Sequence, residues 1–165
     1  EWYDHLLKEW FHVTVGLGKG NQRRPRMSIW FKNYTIKDIK TEGTMVEHLG
    51  IKVTELGKDF VVGTMPVDNR TKQPFGILHG GASAILAETL ASYGGYLTFD
   101  PEKYYVVGVE INANHLKVAK SGIVTGKCSP IKRGRSTQVW QTEITNESGD
   151  LICVSRITLM VLDKK

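Results

Sequence analysis

The stretch GGASAILAETLASYGGYL, from Gly80 to Leu97, limits the folds open to this chain more than any other part of it. It has the length of a long helix, contains no proline and carries a single charge, Glu88. Ala82, Ala84, Ala87, Ala91, Gly94 and Gly95 keep the helix slim, so a curved sheet can approach it closely. Glycine costs a helix interior about 1 kcal/mol relative to alanine, so packing or termination must account for Gly94 and Gly95. The apolar runs of the chain all fall short of the roughly 20 residues that span a bilayer, and no membrane segment is expected.

The sequence around this helix is β-like. Runs at 49–55 and 60–66 flank the turn Leu56, Gly57, Lys58 and Asp59, as in a hairpin. Pro74 and Gly76 mark a loop before the helix. Four further β-like runs follow it at 106–116, 123–131, 138–145 and 151–161, with turn signals at 120–122, 132–134 and 146–149. Two strands, one helix and four strands in succession do not make alternating βαβ units. The order predicts an α+β fold, an antiparallel sheet wrapped on one long central helix. Ahead of it, Thr35 is placed to cap a short helix reaching Met45, its hydroxyl accepting from a first-turn amide. Residues 1–26 read as an N-terminal extension, aromatic and amphipathic at first and rich in Gly and Arg later, with the compact domain spanning 27–165. They lack the ordered parts of a signal peptide. The GLGKG run at 16–20 lacks the ending and the strand–loop–helix setting of a phosphate loop.

Charge narrows the ligand. The net charge is +5, and no Asp or Glu occurs between Ile111 and Thr142, where Lys117, Lys120, Lys127, Lys132, Arg133 and Arg135 all fall. Such a cluster is either a solvated face or a site for a multiply charged anion. No helix-turn-helix pattern, zinc-finger spacing or aromatic–basic signature points to nucleic acid, so a phosphorylated small molecule is the expected ligand. Cys128 and Cys153 stand alone in β-like runs, without metal-ligand spacing, and read as small buried hydrophobes of a cytoplasmic protein.

Glu88 is the residue whose setting calls for an explanation. It lies mid-helix among Ile85, Leu86, Leu90 and Ala91, with no Lys or Arg three or four residues away. It is either a solvent-facing position or a functional carboxylate. His79, Gly80 and Gly81 open the same helix, where uncapped N–H groups and the positive end of the dipole can polarise a carbonyl. Gln73, in the preceding loop, either donates to such a carbonyl or bonds the loop backbone. Eight residues of helix rise about 12 Å, so Glu88 cannot reach a carbonyl held at Gly80 of its own helix. A symmetric dimer with antiparallel helices resolves this, Gln73, His79 and Gly80 of one chain facing Glu88 of the other. Ser92, one turn beyond Glu88, shares its face. No nucleophile elbow and no metal-binding histidine motif competes with this arrangement.

The residues that carry these features also carry a resemblance. The stretch MPVDNRTKQPFGILHGGASAILAETLASYGGYL, from Met65 to Leu97, resembles the core of the hotdog-fold thioesterases that use a Glu. VVGVEINANHLK and QVWQTEITNESGDLICVSRIT continue the likeness, which runs from Met27 to Leu162. Within the family it is similar to the branch that contains the 1,4-dihydroxy-2-naphthoyl-CoA hydrolases and the proofreading thioesterases of aryl-carrier proteins. The resemblance implies a hydrolase of acyl-CoA thioesters that needs no cofactor, CoA being part of the substrate. It implies Glu88 as nucleophile or general base, Gly80 as carbonyl-polarising amide, Gln73 and His79 as orienting groups, and Ser92 as a positioner of water. It implies His115 and Lys117 as contacts to the CoA nucleotide or pantetheine arm. It further implies dimers paired into tetramers. Lys132, Arg133 and Arg135 are expected to hold CoA phosphates, although the segment KRGRST is more basic than the naphthoyl-CoA enzymes lead one to expect. The competing expectations are a carrier-protein thioesterase, an acyl-CoA-binding module without activity, and a hydratase, for which His79 lacks an acidic partner.

Overall fold

The computed structural model describes residues 28–165, so the N-terminal extension, its glycine-rich run and Met27 lie outside the described residues. Six strands form one antiparallel sheet: β1 (Lys52–Leu56), β2 (Val61–Pro66), β3 (Tyr104–His115), β4 (Ile123–Arg133), β5 (Thr137–Thr145) and β6 (Leu151–Asp163). Their spatial order is β1-β2-β4-β5-β6-β3, which leaves β1 and β3 at the edges. The sheet curls around one long helix, α2 (Gly80–Leu97), whose bounds match the sequence expectation. A shorter helix, α1 (Met45–His48), precedes β1.

Alternation along the strands sets the core. Val61 and Met65 on β2, Val124 and Cys128 on β4, Trp140 and Ile144 on β5, and Ile157 and Leu159 on β6 all turn toward α2 and are buried. The helix answers with Leu86, Ala87, Leu90 and Ala91, all at 0% exposure. Burial of each leucine stabilises the fold by about 1.5–3 kcal/mol. Small residues let sheet and helix meet. A Cβ on Gly94 would stand 2.7 Å from the Trp140 ring, and one on Gly63 would stand 2.7 Å from a Leu90 methyl. Gly95 lies closer still to Leu159. Packing therefore explains the two helix glycines.

The polar groups of this core are tied to one another. Trp140 Nε1 donates to Gln138 Oε1 at 2.8 Å, and Gln138 Nε2 donates to Thr98 Oγ1 at 2.8 Å. The chain at 28–34 closes the same end, Trp30 stacking on Trp140 with ring centroids 6.4 Å apart. Both cysteines are free and buried, with β5 between their strands, as expected of small hydrophobes. Desolvation of its thiolate, only partly offset by Thr142, pushes the Cys128 thiol up to about 12.

One expectation fails before β1. The structure has no single helix from Thr35 to Met45; it has a 3-10 turn at Ile36–Asp38 and then α1. Gly43 interrupts them at φ +70, and its N–H donates to Glu47 Oε2 at 2.7 Å, starting the second piece afresh. Thr35 caps the 3-10 turn reciprocally with Asp38, its own N–H and hydroxyl donating to Asp38 Oδ2 at 2.7 and 2.9 Å.

Candidate active site

The loop before α2 is a tight, hydrogen-bonded turn. Gln73 N–H donates to the Ile77 carbonyl and Gly76 N–H to the Gln73 carbonyl, both at 2.9 Å, with Gly76 at φ +76. The backbone does the loop's internal bonding, so the Gln73 side chain is left over. Among the described residues it has no hydrogen-bond partner, and it faces a cavity of about 280 Å³. Gly80, Ser83, His115 and Lys117 line the same cavity, together with Ile77, Leu78 and Ile152. The fold thus gathers four of the residues singled out in the sequence, Gln73, Gly80, His115 and Lys117, from a loop, a helix N-terminus and the end of β3.

The helix start is not uncapped, as the sequence led one to expect. His79 Nδ1 accepts from Gly81 N–H at 2.8 Å. That bond fixes Nδ1 as the unprotonated nitrogen and removes one amide from those available to a ligand. The Gly80 N–H, by contrast, has no acceptor among the described residues. His79 therefore selects which amide is free. Gly80 is also held close to β3, since a Cβ there would lie 2.6 Å from His115 Nε2.

Glu88 faces away from the apolar core. It is exposed, on the side of α2 opposite Leu86 and Leu90, so the apolar company it keeps in sequence is not its surroundings in space. What it does meet is β3: a Cβ on Gly108 would stand 2.9 Å from Glu88 Oε1. A lone glycine inside a strand is the sequence signal of a close approach, and it could have marked Gly108. Ser92 lies one turn further along and is half-buried.

The strand that carries both contacts has a bulge between Gly108 and Glu110. Gly108 pairs with the buried Leu159, while Ile111 pairs with Ile157 and His115 with Cys153. Directly paired residues share a face, so the bulge keeps both Gly108 and His115 on the helix side despite their odd separation.

The expected set of cationic contacts is divided. Lys117 reaches the cavity but is engaged by Asp150, Nζ to Oδ2 at 2.8 Å. The Lys117 ammonium and then the Asn146 amide hold the Asp150 carboxyl below the usual carboxylate range. Lys132, Arg133 and Arg135 are exposed at the other end of the sheet, beside the C-terminal end of α2. Arg135 borders a hollow with Phe99, Tyr104 and Asp163. Within one chain these three do not meet His115 or Lys117. Among the described residues no cluster of His, Cys, Asp and Glu is arranged to hold a metal ion. No helix among them is long and apolar enough to cross a membrane.

A slim helix wrapped by an antiparallel sheet, with a free amide at its start and a carboxylate on its face, is the hotdog fold of thioester hydrolases. The chain belongs to the thioesterase superfamily, whose family model matches residues 75–153. It is a thioesterase, and its relatives are alike along most of its length. It is 49% identical over 136 residues to the 1,4-dihydroxy-2-naphthoyl-CoA hydrolase of Escherichia coli, covering 81% of this chain and 99% of that one. It is 49% identical to the proofreading thioesterase EntH of Cronobacter sakazakii, over 81% of this chain and 98% of that one. A thioesterase structure from Haemophilus influenzae superposes with a TM-score of 0.79 at 47% identity, over 82% of this chain and 95% of that one.

Proposed function

We propose that this thioesterase hydrolyses an aromatic acyl-CoA to the free acid and CoA, in active sites shared between two copies of the chain. The observation that carries the proposal is on β3. One edge strand, paired with β6 on its inner side and free on the other among the described residues, bears both contacts, Glu88 over Gly108 and Gly80 against His115. Let β3 pair antiparallel with β3 of a second copy about an axis between Ile111 and Asn112. Gly108 then stands opposite His115 of the second copy, with Cα atoms about 4.5–5.5 Å apart. Glu88 of one chain thereby comes up to Gly80 of the other, which the helix rise forbids within a chain. The same pairing brings the end of β3 at Tyr104, with Arg135 beside it, toward Lys117 of the second copy. The divided cations are then reunited around one substrate.

In that site the Gly80 N–H polarises the thioester carbonyl, and Gln73 and His79 orient the thioester and its loop. Glu88 attacks the carbonyl or takes a proton from the attacking water, which Ser92 positions. Arg135, with Lys132 and Arg133, binds CoA phosphates as exposed, exchangeable contacts. A second interface supports tetramers. Tyr105, Val107, Met160 and Leu162 expose 38–55% of their surface on the face of the sheet away from α2. Two such faces pack well against each other. A cytoplasmic location suits both CoA chemistry and two free thiols.

The first candidate for the acyl group is 1,4-dihydroxy-2-naphthoyl, the group named for the Escherichia coli relative, which places the enzyme in menaquinone synthesis. The comparable likeness to EntH favours one alternative, an aryl group carried on a protein. Steady-state release of CoA, read with a thiol reagent, separates these; buried Cys128 and Cys153 add no background in the folded protein. Hydroxynaphthoyl- and hydroxybenzoyl-CoA should exceed hexanoyl-CoA in kcat/KM by at least about tenfold. Preference for the aliphatic ester contradicts the aromatic assignment. Turnover of aryl-carrier protein alone moves the assignment to the alternative.

A further inference from the structure

Gln73 and Gly80 face one cavity but belong to different elements, so the fold must fix one against the other. Gly80 rides on α2, which is packed against the sheet. Gln73 rides on the loop 72–78, and its own backbone bonds, to Ile77 and Gly76, lie inside that loop. A neck closes the loop. His79 N–H donates to the Thr71 carbonyl at 2.9 Å, and Lys72 bridges Leu78 beside it. On one side the neck is tied by backbone, Leu78 N–H donating to the Ala119 carbonyl at 2.8 Å. On the other it is tied by a side chain. Thr71 is 2% exposed, and its Oγ1 donates to the Pro66 carbonyl at 2.7 Å and accepts from Asp68 N–H at 3.1 Å. Pro66 is the last residue of β2, so the hydroxyl joins the sheet to the neck. Burial alone would favour valine, which has nearly the same shape and no polar atom to desolvate.

We propose that Thr71 is a positioning residue for the reaction: granted the role proposed for Gln73 above, its hydroxyl sets that side chain relative to the Gly80 amide. Gln73 lies two residues beyond Thr71, on the far side of the neck. Through Pro66 the hydroxyl refers the loop to β2, and through its own carbonyl Thr71 meets His79, the cap of α2. Thr71 does not line the cavity, so it touches no substrate and acts through Gln73. A thioester carbonyl at the Gly80 amide is turned correctly only while Gln73 keeps its place. A small displacement there falls on the chemical step, because groups that orient a reacting carbonyl tolerate little misplacement.

The test is a double-mutant cycle on the acyl-CoA ester that wild type hydrolyses fastest. Thr71→Val should lower kcat about tenfold, with KM within about twofold of wild type. Thr71→Ser, which keeps the hydroxyl, should stay within about twofold of wild type in both. In a Gln73→Ala background the same Thr71→Val change should cost less than about twofold, because the group it positions is gone. Rates are read well below each unfolding midpoint, so a lowered midpoint alone moves none of these ratios. Should Thr71→Val not fold, Thr71→Cys, with its weaker donor, replaces it in the same cycle. Three results overturn the inference and leave the thioesterase reading intact: a full loss in the Gln73→Ala background, a Thr71→Ser as impaired as Thr71→Val, or a Thr71→Val with wild-type kcat. A Gln73→Ala variant as active as wild type overturns the role of Gln73 together with that of Thr71.

Discussion

Glu88→Gln should lower kcat by at least about a thousandfold, with KM changed little and the unfolding midpoint unchanged. The side chain is the only charged one on α2 and points away from the buried Leu86 and Leu90, so nothing in the core depends on it. Glutamine keeps the size and polarity of the group but can neither attack a thioester nor hold a proton taken from water. The loss therefore falls on the chemical step. Single-turnover and steady-state rates on an aryl-CoA provide the measurement. A variant that keeps most of the wild-type rate contradicts any mechanism centred on this carboxylate.

Gly80→Ala should cost about a hundredfold in kcat, while Gly81→Ala costs only a few-fold. A methyl group on Gly80 would stand 2.6 Å from His115 Nε2, too close for both to stay. The imidazole is the free end of an exposed side chain, so it moves aside and the fold survives. The free amide then no longer faces an undisturbed wall. Gly81 has a looser neighbourhood, its nearest atom being His79 Nδ1 at 3.0 Å, and its amide is already bonded to that nitrogen. Equal losses in the two variants count against Gly80 as the amide that polarises the carbonyl.

The architecture was legible because local patterns in this sequence agree with one another. The single slim helix, the hairpin turn at 56–59 and the four later strands each carry their own signal, and all fall where expected. Gly94 and Gly95 announced a close sheet, which Trp140 and Leu159 supply. What sequence did not yield depends on distant residues or on direction. Lys117 is neutralised by Asp150, which lies in another turn of the chain and enters only when β3 and β6 pair. The stretch between Thr35 and Met45 looked continuous because Gly43 at φ +70 is a conformational choice that composition does not reveal. Apolar neighbours of Glu88 in sequence hid its outward orientation, since a helix turns by about 100° per residue and one face can be bare. The basic run from Lys117 to Arg135 reads as one patch, yet β4 carries its two ends to opposite ends of the sheet. Their reunion requires a second chain.

That requirement exposes the shared site to a decisive measurement. Co-expressed chains with different tags, one carrying Glu88→Ala and the other Gly80→Ala, yield a heterodimer by tandem purification. If each site draws Glu88 from one chain and Gly80 from the other, one site carries both substitutions and the second is intact. The heterodimer should then recover about half of the wild-type rate, although each parent homodimer is nearly inactive. A heterodimer no more active than its parents would show that Glu88 and Gly80 act within a single chain, and would contradict an active site shared between two copies.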